Sequence, residues 1–206
     1  MSREHEADPL RQRVLEYLRT HNVMTLATSG PDGPWAAAVF YANDDFMLYF
    51  LSSPATRHCR DLTANPRVSA AIHEDYHDWP EIKGVQLEGR VTEVATPNVG
   101  DVRRLYGQKF PLVGRLGQAP AAIVEAFKKI RWYRLEPDAV YFIDNSRGFG
   151  TRERVPQNTT KMGADRKFKK MWSVPHSHQY PISAYFHVLD APGGIDDTTI
   201  MDGRTI

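Results

Sequence analysis

Two serines, a threonine, an arginine and a histidine crowd into the run Leu51-Ser52-Ser53-Pro54-Ala55-Thr56-Arg57-His58, where an apolar stretch gives way to a polar one. These are the residue types that a phosphomonoester needs. Hydroxyls and the backbone N–H groups of a helix's first turn donate to its oxygens, and the helix dipole favours its charge. A guanidinium grips two of the oxygens at once, in a fork that an ammonium cannot form. The same spacing admits a plainer account in which Ser53 only caps a helix and Arg57 is a solvated helical residue. The local pattern alone favours that account, because capped helices carrying an arginine are common.

Other clusters point less sharply to chemistry. His73, Glu74, Asp75, His77 and Asp78 include metal-capable ligands, but their spacing matches no compact zinc signature, and a polar connection between strands explains them better. His176, His178 and His187 would bind a metal only adventitiously. Lys161, Arg166, Lys167, Lys169 and Lys170, with Phe168 and Trp172 interleaved, carry charge suited to nucleic acid or an anionic surface, yet read more simply as a solvated stretch. Trp132, Tyr133, Tyr141 and Phe142 are expected in a core or a dimer interface. No Ser/His/Asp nucleophile signature is visible, no catalytic acid or base is assigned, and no metal site is expected.

The elements that must position the Leu51–Arg67 run follow from periodicity. Asp8-Pro9 reads as a cap followed by proline in the first turn of a helix, with Leu10, Val14, Tyr17 and Leu18 on one face. Val23 to Thr28 and Trp35 to Tyr41 flank the turn residues 29–34 as a hairpin, and Phe46 to Leu51 adds a third strand. Ser53-Pro54 repeats the cap-then-proline signature for a short helix through Leu62, stopped at Asn65-Pro66. Arg67 to His73 and the alternating Gly84 to Val94 give strands four and five. Helical patterns over 97–109 and 120–129 precede two further strands, 130–135 and 139–144, separated by a Glu136-Pro137-Asp138 turn. The pattern predicts a mainly β fold, a barrel with helical decoration. A boundary near Pro156 divides a body, residues 1–155, from a partly irregular C-terminal extension, 156–206, in which Ile182 to Leu189 is a candidate strand.

Composition excludes several classes. The chain's 206 residues, 41% apolar and 25% charged, suit one globular domain with an extension. A net charge of +1 argues against a general nucleic-acid binder, which needs a concentrated surplus of cations. One cysteine, Cys59, allows neither an intrachain disulfide nor a multi-cysteine zinc site. The polar start Met1-Ser2-Arg3-Glu4-His5-Glu6 does not read as a signal peptide, and no run is apolar enough to span a bilayer, so a cytoplasmic protein without membrane partners is expected.

Several segments together resemble the pyridoxamine 5′-phosphate oxidase superfamily in order and spacing. They are Trp35 to Tyr41, Leu51 to His58, Asn65-Pro66-Arg67-Val68-Ser69 and Gly84-Val85-Gln86-Leu87-Glu88-Gly89. Thr56-Arg57-His58, Ile82-Lys83-Gly84-Val85-Gln86, Lys109-Phe110-Pro111 and Asp144-Asn145-Ser146-Arg147-Gly148-Phe149-Gly150 are similar to a small bacterial branch of it without assigned function. The resemblance covers roughly the first three-quarters of the chain.

What it implies is an FMN-binding split β-barrel, homodimeric, with FMN in two clefts between the subunits. Thr56, Arg57 and His58 fall where the family places a serine, an arginine and a lysine around the phosphate; His58 is thus a weaker, pH-dependent cation. Leu51 and Ser52 fall on the family's tyrosine and threonine at the end of the third strand. Ala36, Ala37, Ala38 and Val39 fall on the strand bordering the flavin ring. Gln86 resembles the position from which the second subunit reaches the ring, although the family's glutamine falls nearer Gly84. Asn145 and Phe149 belong to a segment expected to close the cleft, with Phe149 either stacking there or plugging the last strand. The arginine and histidine set with which the true oxidases bind pyridoxal phosphate is not in register, so that substrate is not expected. The implied activity is oxidoreduction of a small organic substrate or a reduced nicotinamide. A flavin- or haem-binding protein for storage or sensing on the same scaffold is the alternative, and a vestigial pocket on an interaction platform a third.

Overall fold

Alternation of Met24, Leu26 and Thr28 with Val23, Thr25 and Ala27 is the half-buried strand pattern, and β1 (Val23–Gly30) buries the first set and exposes the second. The computed structural model describes residues 8–157. In it β1 passes through a tight turn into β2 (Gly33–Asp44), with Gly33 at φ +88°, a backbone state that any side chain would strain. β3 (Met47–Ser52), β4 (Arg67–His73), β5 (Lys83–Glu93) and β6 (Arg131–Asp144) follow. All neighbours are antiparallel, in the order β3-β2-β1-β4-β5-β6. β3 pairs again with β6, Leu48 opposite Leu135 and Ser52 opposite Arg131, so six strands close into a barrel and leave no open edge between them. β7 (Arg152–Arg154) takes the remaining part of that β6 edge, Tyr141 opposite Arg154. The chain therefore forms the mainly β split barrel that its resemblance implies.

The barrel interior is filled by the inward residues of all six strands, among them Leu26, Tyr41, Phe50, Ile72, Val85 and Leu135. Each end is stopped by a helix. α1 (Pro9–Thr20), capped by Asp8 as expected, inserts Val14 and Leu18 at one end. Tyr41 Oη donates to the Leu18 carbonyl (2.8 Å) and Arg13 pairs with Asp144 (3.5 Å). α2 (Arg57–Ala64) inserts Cys59 and Leu62 at the other end. A second core lies outside the barrel wall, where Ala42, Tyr49 and Trp132 meet Val102, Tyr106 and Phe110. That layer belongs to α3 (Val99–Lys109), the single turn α4 (Pro111–Gly114) and α5 (Ala121–Lys128).

The Lys109-Phe110-Pro111 motif has a structural task here. Lys109 Nζ donates to the carbonyls of Leu18 and His21 at the C-terminal end of α1, 4.1 Å from the centre of the Tyr41 ring. A cation there meets the negative end of the helix dipole. Burial nonetheless pushes the ammonium down to about 7.

One expectation is corrected. Residues 131–144 are a single strand, not two strands around a Glu136-Pro137-Asp138 turn. The turn residues form a β-bulge: Gly89 faces Pro137 while Glu88 faces Ala139, leaving Asp138 unopposed. The extra residue flips the alternation, so Tyr133 and Leu135 point inward before it and Val140 and Phe142 after it. Gly89 makes this possible, since a Cβ there would stand 2.2 Å from the Glu136 carbonyl oxygen.

The candidate strand at 182–189, the basic stretch and the C-terminal histidines lie outside the described residues. Among the described residues no helix is long and apolar enough to cross a membrane. Gly89→Ala is expected to destabilise the barrel by about 1–3 kcal/mol, as overpacking against backbone does. Chemical denaturation reads this as a lower midpoint.

Candidate functional site

β3 ends at Ser52, and the chain makes one tight turn before α2. The Thr56 amide and the Thr56 hydroxyl both donate to the Ser53 carbonyl (3.1 and 2.9 Å), and Ser53 Oγ accepts from the Ala55 amide (3.3 Å). The cap is therefore Thr56, three residues later than the Ser53-Pro54 signature suggests, because Pro54 and Ala55 are spent on the turn. Thr56 makes no side-chain cap bond, since its hydroxyl is committed backward to Ser53.

α2 is fixed against the β1–β2 hairpin by a buried carboxylate. Thr28 Oγ1 donates to Asp61 Oδ2 at 2.9 Å, with both residues buried. Gly30 lets the carboxylate sit down, as a Cβ there would be 2.0 Å from Asp61 Oδ1. Neither partner is singled out by the sequence pattern, for a threonine on a strand and an aspartate inside a helix carry no local signal of each other.

This docking brings Ser52, Thr56 and His58 together. His58 Nε2 lies 2.8 Å from Ser52 Oγ and 3.2 Å from Thr56 Oγ1, and the two hydroxyls are 3.3 Å apart. His58 is only 8% exposed, and burial holds its imidazole below the ordinary histidine range against the opposing pull of the Asp61 carboxylate. Near neutral pH it is an uncharged hydrogen-bonding group that orients two hydroxyls.

The cationic part of the junction is Arg57. Its Nη2 donates to the Asp32 carbonyl (3.0 Å) in the hairpin turn, and its guanidinium lies 4.5 Å from the centre of the Trp35 ring. Its Nε is shielded from solvent and has no acceptor. Two other arginines share that condition, Arg11 and Arg134, but both pair with carboxylates, whereas Arg57 makes no ion pair among the described residues. A shielded donor without an acceptor is costly, and an oxyanion removes the cost. The donor set of Arg57, Ser52 and the first turn of α2 fits a phosphate.

The remaining expected residues lie elsewhere. On β2, Ala36 and Ala38 face outward and are exposed, Ala37 is half-buried, and Val39 is buried in the barrel. Leu51 points away from the junction into the second core. Ala38, Thr25, Ala71, Gln86, Tyr141 and Arg154 are successive partners in one row across the sheet. Gln86 is three strands from Ala38, about 14 Å at ordinary strand spacing. One chain does not bring Gln86 to the β2 face. Asn145 serves a loop: its Nδ2 donates to the Trp79 carbonyl (2.9 Å) and its Oδ1 accepts from the Gly150 amide (3.1 Å). Phe149, 79% exposed, leans on Trp79, 66% exposed, with ring centres 5.7 Å apart. It does not plug the last strand. Among the described residues no group of three or more histidine, cysteine, aspartate or glutamate side chains could hold a metal ion.

Because the folded state holds His58 uncharged, its folded pKa lies below the unfolded value near 6.5. As pH falls through that value the unfolded chain takes up a proton that the folded chain refuses. Stability contributed by this site is thus full above about pH 6.5 and lost on acidification, with a slope of at most about 1.4 kcal/mol per pH unit. Thermal melts between pH 7.5 and 5 are expected to fall, and His58→Gln, which keeps a hydrogen-bonding end, is expected to flatten the profile.

The barrel has counterparts among known proteins. The profile of the pyridoxamine 5′-phosphate oxidase family matches residues 10–144. A UPF0306 protein of Photorhabdus laumondii is 27% identical over 143 residues, covering 68% of this chain and 92% of its own. A putative pyridoxamine 5′-phosphate oxidase from Listeria innocua superposes with a TM-score of 0.52 at 16% identity, covering 66% of this chain and 98% of its own. HutZ, the heme storage protein from Vibrio cholerae, does so with a TM-score of 0.51 at 21% identity, covering 62% and 89%. By the match over residues 10–144, the chain belongs to the pyridoxamine 5′-phosphate oxidase family.

Proposed function

We propose that this protein is an FMN-binding oxidoreductase acting on a small organic substrate or a reduced nicotinamide, and that it works as a homodimer. The observation that carries the reading is Arg57: a guanidinium at the start of α2, with a shielded Nε lacking an acceptor and, among the described residues, no carboxylate to neutralise it. Arg57 would bind the phosphate oxygens, and Ser52 and the backbone amides of the first turn of α2 would add neutral donors, with His58 orienting the Ser52 hydroxyl. The exposed Ala36 and Ala38 leave the β2 backbone accessible to a flat ring, whereas Val39 and Ala37 support that strand from within. FMN, when bound, supplies one- and two-electron redox chemistry that no side chain provides.

The second copy enters through geometry. Gln86 lies on the same outward face as Ala38 but about three strand spacings away, so both touch one ring only if they come from different chains. That outward face is lined by Thr25, Ala27, Ser69 and Ala71, small residues over which two sheets approach closely. Phe149 and Asn145 then border the cleft, at the end of the barrel away from Arg57.

Haem in place of flavin is the second reading, favoured by the likeness to HutZ. His73 lies two residues beyond Ala71 on the same outward face of β4, exposed and available as an axial ligand. Absorption of the purified protein separates the two. The flavin reading expects yellow protein that bleaches with reduced nicotinamide and recovers in air; a Soret band without flavin fluorescence after denaturation would replace it by the haem reading. Arg57→Ala is expected to weaken FMN binding about ten- to a hundredfold, the loss of a charge-assisted hydrogen bond, with the melting temperature little changed. Sedimentation is expected to give twice the mass of the chain.

A further inference from the structure

We infer that Trp35 is the residue that positions Arg57 for the phosphate. The inference rests on the flavin reading above and adds a residue that neither the sequence pattern nor the family match assigns. Arg57 has a long, flexible side chain on a helix, and without support it would sample many rotamers in water. Three contacts of the hairpin remove that freedom. Asp61 on α2 is locked to Thr28 and seated against Gly30, which fixes the helix relative to the hairpin. The Asp32 carbonyl takes one N–H of the guanidinium at 3.0 Å. The indole of Trp35, which stands opposite Thr28 in the hairpin register, lies 4.5 Å from Cζ.

An indole face attracts a guanidinium electrostatically, and a flat cation resting on it keeps its N–H edges free for oxygens. Trp35 is 42% exposed, so it contributes little to the core, and an exposed tryptophan has a cost that a binding role explains. The same side chain has a second effect, since its ring shields the guanidinium from water, and a charge in a drier setting binds an anion more strongly. Trp35 is thus a positioning residue: it acts on the ligand through Arg57.

The test compares FMN with riboflavin, which shares the ring and ribityl chain and lacks the phosphate. Dissociation constants are measured by flavin fluorescence quenching on the full chain with wild type, Trp35→Ala, Trp35→Leu, Arg57→Ala and the double variant Trp35→Ala/Arg57→Ala. Trp35→Leu keeps an apolar side chain on the hairpin without a π face, so it reports on the interaction if the alanine variant fails to fold. Both tryptophan variants are expected to weaken FMN about three- to tenfold. Riboflavin binding should stay within twofold, and the double variant should be no weaker than Arg57→Ala. Equal losses for FMN and riboflavin would mean that Trp35 contacts the flavin or shapes the hairpin generally, and the inference would fall. Wild-type FMN affinity in both tryptophan variants, with Arg57→Ala impaired, would overturn the inference and leave the phosphate site standing. Unchanged FMN affinity in Arg57→Ala would remove the phosphate site itself, and the inference with it.

Discussion

A carboxylate buried between a helix and a hairpin sets the geometry of everything at this end of the barrel. Asp61 accepts from Thr28 and lies so close to the backbone at Gly30 that no side chain fits there. A buried carboxylate without such partners would cost several kcal/mol, so the contact admits few alternatives. With it made, α2 closes the barrel through Cys59 and Leu62, and its first turn faces the end of β3. Ser52, Thr56 and His58 come within hydrogen-bond reach, and Arg57 meets the hairpin turn. The junction is thus a product of packing below it more than of its own residues.

The balance of charge at the junction follows from that packing. At position 58, beside Arg57, this chain has a histidine that burial keeps from being a cation near neutral pH. The Ser52 and Thr56 hydroxyls both lie against one nitrogen of that ring, Nε2, at 2.8 and 3.2 Å. The guanidinium of Arg57 is held by a carbonyl and an aromatic face rather than, among the described residues, by a carboxylate. An ion pair would have spent the cation inside the protein; a carbonyl and an indole orient it and leave its charge for a ligand.

Barrel closure imposes a different constraint on the far side. β6 divides one of its edges between β3 and β7, and to do so it carries a bulge that reverses which residues point inward. The outward row from Ala38 through Thr25 and Ala71 to Gln86 is continuous over four strands, exposed at Ala38 and Thr25, half-buried at Ala71 and Gln86, and made mostly of small side chains. Such a surface spaces its two ends too far apart to serve one small ring, and this is why the proposed cleft needs two chains.

Local pattern determined a good deal. Alternation placed β1 to β5 within three residues at every boundary, because a strand with one wet face writes its period into the sequence, and the Asp8-Pro9 cap located α1 for a similar reason. The crowding of Ser52, Thr56, Arg57 and His58 suggested an oxyanion site only together with the resemblance to the oxidase family, since the local pattern by itself favoured a capped helix with a solvated arginine. What only the tertiary structure decided depends on residues distant in sequence. Glu136-Pro137-Asp138 reads as a turn, and becomes a bulge because Gly89, some fifty residues earlier, lets a backbone pass. His58 reads as a cation, and is neutral because the barrel end buries it. Ser53 reads as the cap, and Thr56 takes that place because the chain must first turn off β3. Trp35 and Asp61 carry no signal at all until folding puts a hairpin beside a helix. Periodicity reports which face of an element is buried; it does not report against what, and charge, capping and positioning all depend on the second.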